Sequence, residues 1–405
     1  MSGRTMAGGG ADDRGASQAP PREPAWSARR VRALAIQGVI LAALLGLLAW
    51  GVDNAIHNLQ KAGIASGFRF LGNRAGFDIN FRLIDYSPAS TYGRAFVVGA
   101  LNTLTVSLLG IAAATVLGFL LGVGRLSRNW LVSRTAAGVI ETVRNMPLLL
   151  QLLFWYTAVL APLPRPRDAI SLGGVAFLSN RGLTVPRPLT TDAVWMVGAA
   201  AVLGAAAALG LALWAARRTR ITGRRLPVGW AGLALVVLPA VATLAWGGVL
   251  LGWEVPALKG FNFAGGLTLV PELIALWLAL TLYSGAFIGE TVRAGILSVP
   301  QGQVEAARAL GLGPAGVLRL VVLPQAMRVI IPPMTSQYLN LLKNSSLAVV
   351  IGFPDMVAVF SGTTLNQTGQ AIETIGMTML VYLVVSFAIS AAMNLYNRKM
   401  AIVRR

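Results

Sequence analysis

Eight apolar stretches of membrane-crossing length, separated by polar or glycine-rich segments, organise this chain: residues 33–52, 96–123, 136–160, 193–216, 228–252, 272–297, 334–353 and 375–396. A hydrocarbon layer about 30 Å thick takes roughly 20 apolar residues per helical crossing. A helix satisfies its own backbone donors and acceptors there, which irregular chain cannot do. The pattern therefore predicts an all-α, polytopic membrane protein of about eight transmembrane helices. The stretch 334–353 is the most polar, holding Asn340, Lys343, Asn344, Ser345 and Ser346, so neighbouring helices must shield it from lipid. An even number of crossings puts both termini on one side.

Composition agrees with lipid as the main solvent: 55% of the 405 residues are apolar, 12% are charged, and the mean hydropathy is +0.67. Such a chain cannot cover itself with a soluble surface. Charge then orients it, because Lys and Arg collect on cytoplasmic segments. With the N-terminus inside, 21 of the 34 basic residues fall in cytoplasmic segments and 10 in external ones, although Arg165, Arg167, Arg181 and Arg187 run against the trend on one external loop. The run RRTRITGRR at 217–225 and the tail residues Arg398, Lys399, Arg404 and Arg405 both land inside. They read as membrane-surface anchors, so the net charge of +19 implies no nucleic-acid partner.

Several chemistries are excluded. There is no cysteine and a single histidine, His57, which leaves no thiolate nucleophile, no zinc–thiolate site and no metal site. No catalytic nucleophile–base pair is visible. A phosphate-binding loop needs a lysine directly after glycine, and none of Lys61, Lys259, Lys343 and Lys399 meets that condition. Any ATP and Mg²⁺ that drive this chain therefore belong to another subunit, or its energy comes from an ion gradient. Residues 1–31, rich in Gly, Ala, Ser, Arg and Pro, have too few large apolar side chains to form a core and are expected to be a disordered tail.

Charged residues inside the spans mark candidate function. Glu141 and Arg144 stand three apart, and Glu290 and Arg293 repeat the arrangement, both within the letters ETVR. Three-apart residues share a helix face, so each carboxylate is expected to pair with its own arginine, as a structural ion pair or as a proton or gating relay. Lys343 has no acidic residue within a helical turn; its partner is a neighbouring helix or a translocating carboxylate. Gly118 and Gly122, four apart, allow close helix packing.

The segment 298–333 is too long for a simple connection. Glu305 to Leu310 favour helix, Gly311 ends it, Gly313 and Pro314 turn the chain, and a second short helix is expected from Ala315 to Val322, stopping before Pro324. Two short helices about a glycine elbow form a knob that a partner can grip. Glu305, Ala306, Ala307, Gly311, Val321, Leu323 and Pro324 fit Glu-Ala-Ala, three residues, Gly, nine residues, an aliphatic, one residue, Leu-Pro. This spacing resembles the EAA loop by which permeases of ATP-binding-cassette (ABC) importers engage their ATPase.

The neighbouring text, YSGAFIGETVRAGILSVPQGQVEAARALGL, VRNMPLLLQLLFWY at 143–156 and LNLLKNSSLAVVIGF, is similar to the polar amino-acid branch of those permeases. With the extra first span and the external segment 71–96, the chain resembles the general L-amino-acid permeases of Gram-negative bacteria. The resemblance implies a type I ABC importer permease fold with a five-helix core plus extra spans. The divisions are 1–31 tail, 32–95 first helix and periplasmic segment, 96–397 permease domain with an inserted two-helix segment at 161–267 and a cytoplasmic coupling loop at 298–333, and 398–405 tail.

It implies as partners an ATP-binding ABC subunit dimer, a second permease and a periplasmic amino-acid-binding protein, in the inner membrane with both termini cytoplasmic. It also implies a substrate pathway near Lys343, Asn344, Ser345 and Ser346, and Asn344 stands where many relatives have Asp. The alternative is an ion-coupled secondary transporter using Glu141 and Glu290 as proton carriers.

Overall fold

The computed structural model describes residues 28–61, 67–188, 192–222, 229–246 and 253–400; the expected tails at 1–27 and 401–405 lie outside them. Two compact units are separated at Ser66. The first contains helix α1, Ala28–Lys61.

In the second unit α2, Tyr92–Arg125, runs parallel to α7, Pro271–Leu297. Small residues bring the two together: a Cβ on Gly118 would sit 2.5 Å from Ile288, and one on Gly122 would sit 2.5 Å from the Gly289 carbonyl oxygen. No side chain fits between these backbones. Thr91 caps α2 by accepting from the Arg94 N–H at 3.3 Å, and Asn129 caps α3, Trp130–Asn145, through Leu131 and Val132.

The third expected span, 136–160, is not one rod. α3 ends at Asn145, and α4, Leu148–Leu153, continues as a π-helical segment, Phe154–Leu160, after a bend of 106°. Pro147 disfavours helix at Met146. The buried Gln151 amide takes up the carbonyls released at the break, donating to Val143 at 2.9 Å and to Met146 at 3.0 Å.

After α4 the chain makes strands β1, Ile170–Leu172, β2, Ala176–Ser179, β3, Gly182–Val185, and β4, Arg187–Pro188. Helices α5, Asp192–Thr222, and α6, Gly229–Trp246, follow. Then come β5, Trp253–Glu254, β6, Ala257–Lys259, β7, Asn262–Ala264, and β8, Leu267–Leu269, just before α7. The outgoing and returning chains close on each other: β1-β2-β3-β8 form one antiparallel sheet, β4 pairs with β5, and β6 with β7. This strand module is an addition to the helical plan read from the sequence.

Beyond α7 come α8, Gln301–Ala309, and α9, Pro314–Val317. A π-helical segment, Leu318–Val322, leads straight into α10, Leu323–Asn344. The expected stop before Pro324 does not occur. A proline in the first turn of a helix forfeits only a donor that has no intrahelical partner, so the span begins inside the segment read as a loop. A 3₁₀ turn, Ser345–Ile351, a π-helical segment, Val357–Thr364, and α11, Leu365–Thr368, precede the last helix, α12, Ala371–Met400.

Five described helices are long and apolar enough to cross a membrane, and the bent α3–α4 pair makes a sixth if it counts as one span. Among the described residues, the expected crossings at 193–216 and 228–252 hold shorter apolar helices, Met196–Ala212 and Ala231–Thr243. The count of eight is therefore not reached among the described residues.

The main core joins α2, α4, α7 and α10 around Leu152, Leu276, Leu280, Ile288 and Leu341. A second cluster at the N-terminal end of α2 packs the preceding strap, including Phe70 and Tyr86, against Phe360. Asn102 fastens that strap, its side-chain amide donating to Phe81 and to Pro354, both at 2.8 Å. At about 1.5 Å per residue, the 27 residues of α7 hold the strand module about 40 Å from the α8–α9 elbow.

Candidate functional site

The elbow is built by a glycine that alone tolerates its backbone. Gly311 has φ +80°, and the N–H groups of Leu310, Gly311 and Leu312 return to the carbonyls of Ala306, Arg308 and Ala307 at 3.1, 2.9 and 3.2 Å, terminating α8 in a left-handed cap. Ala307, Val317 and Val322 are buried in the main core. Gln325 on α10 donates to Gln303 on α8, closing the elbow onto the next helix. Glu305, Ala306 and Gly311 face outward, and Leu310 is 83% exposed. Of the expected motif, Leu323 is also exposed, and Val321 and Pro324 are half-buried.

Arg125, at the end of α2, was not among the expected site residues. Its guanidinium donates to Glu290 on α7 at 2.7 Å and to Glu141 on α3 at 2.9 Å. Glu290 also holds Arg293 at 2.6 Å. The expected pairing of Glu141 with Arg144 is replaced: Arg144 lies over the ring of Phe287, 4.9 Å from its centroid. A single arginine thus ties three helices together at the elbow end of α7. The signal available in the sequence was Arg125 itself, one cation just beyond an apolar run.

The four residues expected along a pathway separate. Asn344 faces a cleft of about 240 Å³ shared with Ser284, Phe287, Gln337 and Asn340. A second cleft of about 250 Å³ adjoins it through Phe287 and Gln337 and reaches Arg144 and Glu290. Gln337, Asn340 and Asn344 are spaced to share one face of α10, so these clefts make one groove between α7 and α10, polar beside Asn340 and Asn344 and mainly apolar beside Val329 and Pro333. Lys343 and Ser346 open instead into a cleft of about 530 Å³ with Val357, Thr378, Tyr382 and Ser386. Ser345 is buried and donates to the Leu342 carbonyl at 2.7 Å. Lys343 makes no ion pair among the described residues.

Asp355 lies in the turn between α10 and α12, 1% exposed. It accepts from the Ala358 N–H at 2.8 Å and from the Tyr382 hydroxyl at 3.2 Å. Burial pushes its carboxyl up to about 6 from an ordinary 3.8. Among the described residues no group of His, Asp and Glu could hold a metal ion.

The model of the binding-protein-dependent transport system inner membrane component family matches residues 114–402. The chain belongs to this family. It is 53% identical over 378 residues to the permease protein YhdX of Escherichia coli, covering 93% of this chain and 95% of that protein. It is 47% identical over 386 residues to the general L-amino acid transport system permease protein AapQ of Rhizobium johnstonii, covering 94% and 96%. It is 40% identical over 407 residues to the glutamate/glutamine/aspartate/asparagine transport system permease protein BztB of Rhodobacter capsulatus, covering 93% and 95%.

Membership makes the chain an inner-membrane transport component, not an enzyme. The family match contains α3, α7, the elbow, α10 and both clefts of the α7–α10 groove.

Proposed function

We propose that this chain is the permease subunit of an ATP-driven importer that carries amino acids across the inner membrane, moved by a separate ATPase dimer docked on Glu305–Pro324. The observation that carries the reading is the elbow: a rigidly capped, outward-facing knob whose exposed apolar tip, Leu310, has a buried base continuous with the bundle core. ATP and Mg²⁺ reside in that ATPase. A second permease, probed by co-purification, and a periplasmic binding protein complete the system. The relatives AapQ and BztB, named for amino-acid transport, support the substrate class.

With the elbow in the cytoplasm, α10 leads away from it and α12 returns, which brings the C-terminal tail to the cytoplasmic side. The arginine-rich first residues place the N-terminus there too. Closure of the ATPase dimer pulls on the knobs and turns α7 and α10 as rigid levers. The α7–α10 groove then opens to each side in turn, its amides and Arg144 offering hydrogen bonds to a zwitterion. Lys343 and Ser346 put a cation and a hydroxyl at the edge of a separate, mainly apolar cleft beside α12, lined also by Met379 and Leu383.

Reconstitution in proteoliposomes with the ATPase, second permease and binding protein tests this. Amino-acid uptake should require ATP and stop when Leu310 is replaced by Asp. Uptake that persists without ATP and collapses with the proton gradient overturns it in favour of an ion-coupled carrier.

A further inference from the structure

The four arginines that run against the charge rule, Arg165, Arg167, Arg181 and Arg187, all belong to the strand module, at the opposite end of α7 from the elbow. Every one of them is exposed. Arg187 is committed to Glu254 at 2.8 Å. Arg165, Arg167, Arg181 and the exposed Lys259 have no carboxylate partner among the described residues. Residues 161–188 and 253–269 contain five cations and two anions, Asp168 and Glu254, a balance of +3.

The module is also braced by contacts between its own strands and loops. The β6–β7 hairpin folds back so that Phe263 stacks on Phe177 at 4.6 Å. At its tip Arg167 lies over Phe261, 4.0 Å from the ring centroid, and donates to the Gly260 carbonyl at 3.3 Å. Phe261 remains 71% exposed. An aromatic held by an arginine and left open, with unpaired cations around it, has the make-up of a protein-binding hot spot.

Resting on the transport reading above, we infer that this module is a dock for an acidic face of the soluble protein that delivers the substrate. The sign of the patch selects the partner: opposed charges speed encounter and set orientation, while Phe261 supplies desolvated contact. The family is named for its dependence on a binding protein, and on the transport reading a protein that brings substrate from outside meets this chain at the end of α7 away from the ATPase. The arginines stay on the outer side because their task there is recognition.

The test uses the full complex in nanodiscs of zwitterionic lipid. The triple variant Arg165→Glu, Arg181→Glu, Lys259→Glu changes only exposed side chains, and Phe261→Ser removes the tip. Binding of the loaded binding protein should weaken at least tenfold in each, and the triple variant should flatten its salt dependence, with ATP hydrolysis in the absence of binding protein unchanged. Because the chain has no cysteine, Lys259→Cys carrying a photo-crosslinker should label the binding protein.

Wild-type affinity and salt slope in the triple variant overturn the dock. So does a crosslink to lipid alone, or an effect seen only with anionic lipid, which would assign the patch to headgroups. If the wild-type complex shows no ATP-dependent uptake at all, the transport reading itself fails and the dock with it; if it transports normally and only the variants behave as wild type, the dock alone fails.

Discussion

Arg125 and Glu290, 165 residues apart in sequence, meet at 2.7 Å and join the ends of α2 and α7. Both side chains are about three-quarters covered, whereas Glu141, the second acceptor, is 63% exposed. The two arms of the clasp therefore differ in worth. Arg125→Met leaves a half-buried carboxylate short of a donor and should lower stability by about 1–3 kcal/mol, while Glu141→Gln should cost less than about 1 kcal/mol. Thermal unfolding of the detergent-purified protein separates them, and equal effects would contradict the asymmetry.

Gly122 provides the tightest check on the α2–α7 contact. Its added Cβ would meet the backbone oxygen of Gly289 at 2.5 Å, an atom that cannot swing aside. Gly122→Ala should destabilise by about 1–3 kcal/mol through forced separation of the helices. Gly138→Ala is the control, since nothing lies within 4 Å of its Cβ position and alanine favours helix. A neutral Gly122→Ala would mean that the two helices do not pack this closely.

What could be read along the chain and what could not divide by range. The elbow was legible because Glu305, Ala307 and Gly311 lie in one continuous segment whose turn chemistry is local; Pro324 was misread as a stop because a proline looks the same in sequence whether it ends a helix or opens one. Long apolar runs gave α2, α7 and α12 for the same reason. The Arg125 clasp depends on helix pairing, which no local pattern carries. The break in the third span had a signal, Pro147 followed by the polar Gln151, which a hydropathy average over 136–160 conceals. The strands of the module run only two to four residues, too short for alternation to show. The split of Lys343 from Asn344 follows from their adjacency, since neighbours on a helix point about 100° apart.

The elbow separates two effects that a single substitution would confuse. Leu310→Ser alters an exposed tip and should abolish ATPase co-purification while leaving the thermal midpoint within about 1 °C, since surface changes are usually within ±0.5 kcal/mol. Gly311→Val instead forces a β-branched residue to φ +80°; it should lose both docking and about 1–2 kcal/mol of stability. If Leu310→Ser still recovers the ATPase in normal yield, the tip is not the contact.

Asp355 predicts a pH dependence with a definite sign. Its carboxyl is held up at about 6 by burial, against 3.8 ordinarily, so between these values the folded state keeps the proton and the unfolded state has lost it. Stability must then fall as pH rises through that window, and the penalty is complete above the folded value. Asparagine stays neutral throughout, retains an acceptor for the Ala358 N–H and can donate to the Tyr382 oxygen. Asp355→Asn should therefore raise the thermal midpoint at pH 8, by the equivalent of about 1–3 kcal/mol, and change it little at pH 4. Melting curves of both forms across that range decide the matter: a variant less stable than the parent at pH 8 would show that the ionised carboxylate, with its two donors, stabilises the turn between α10 and α12.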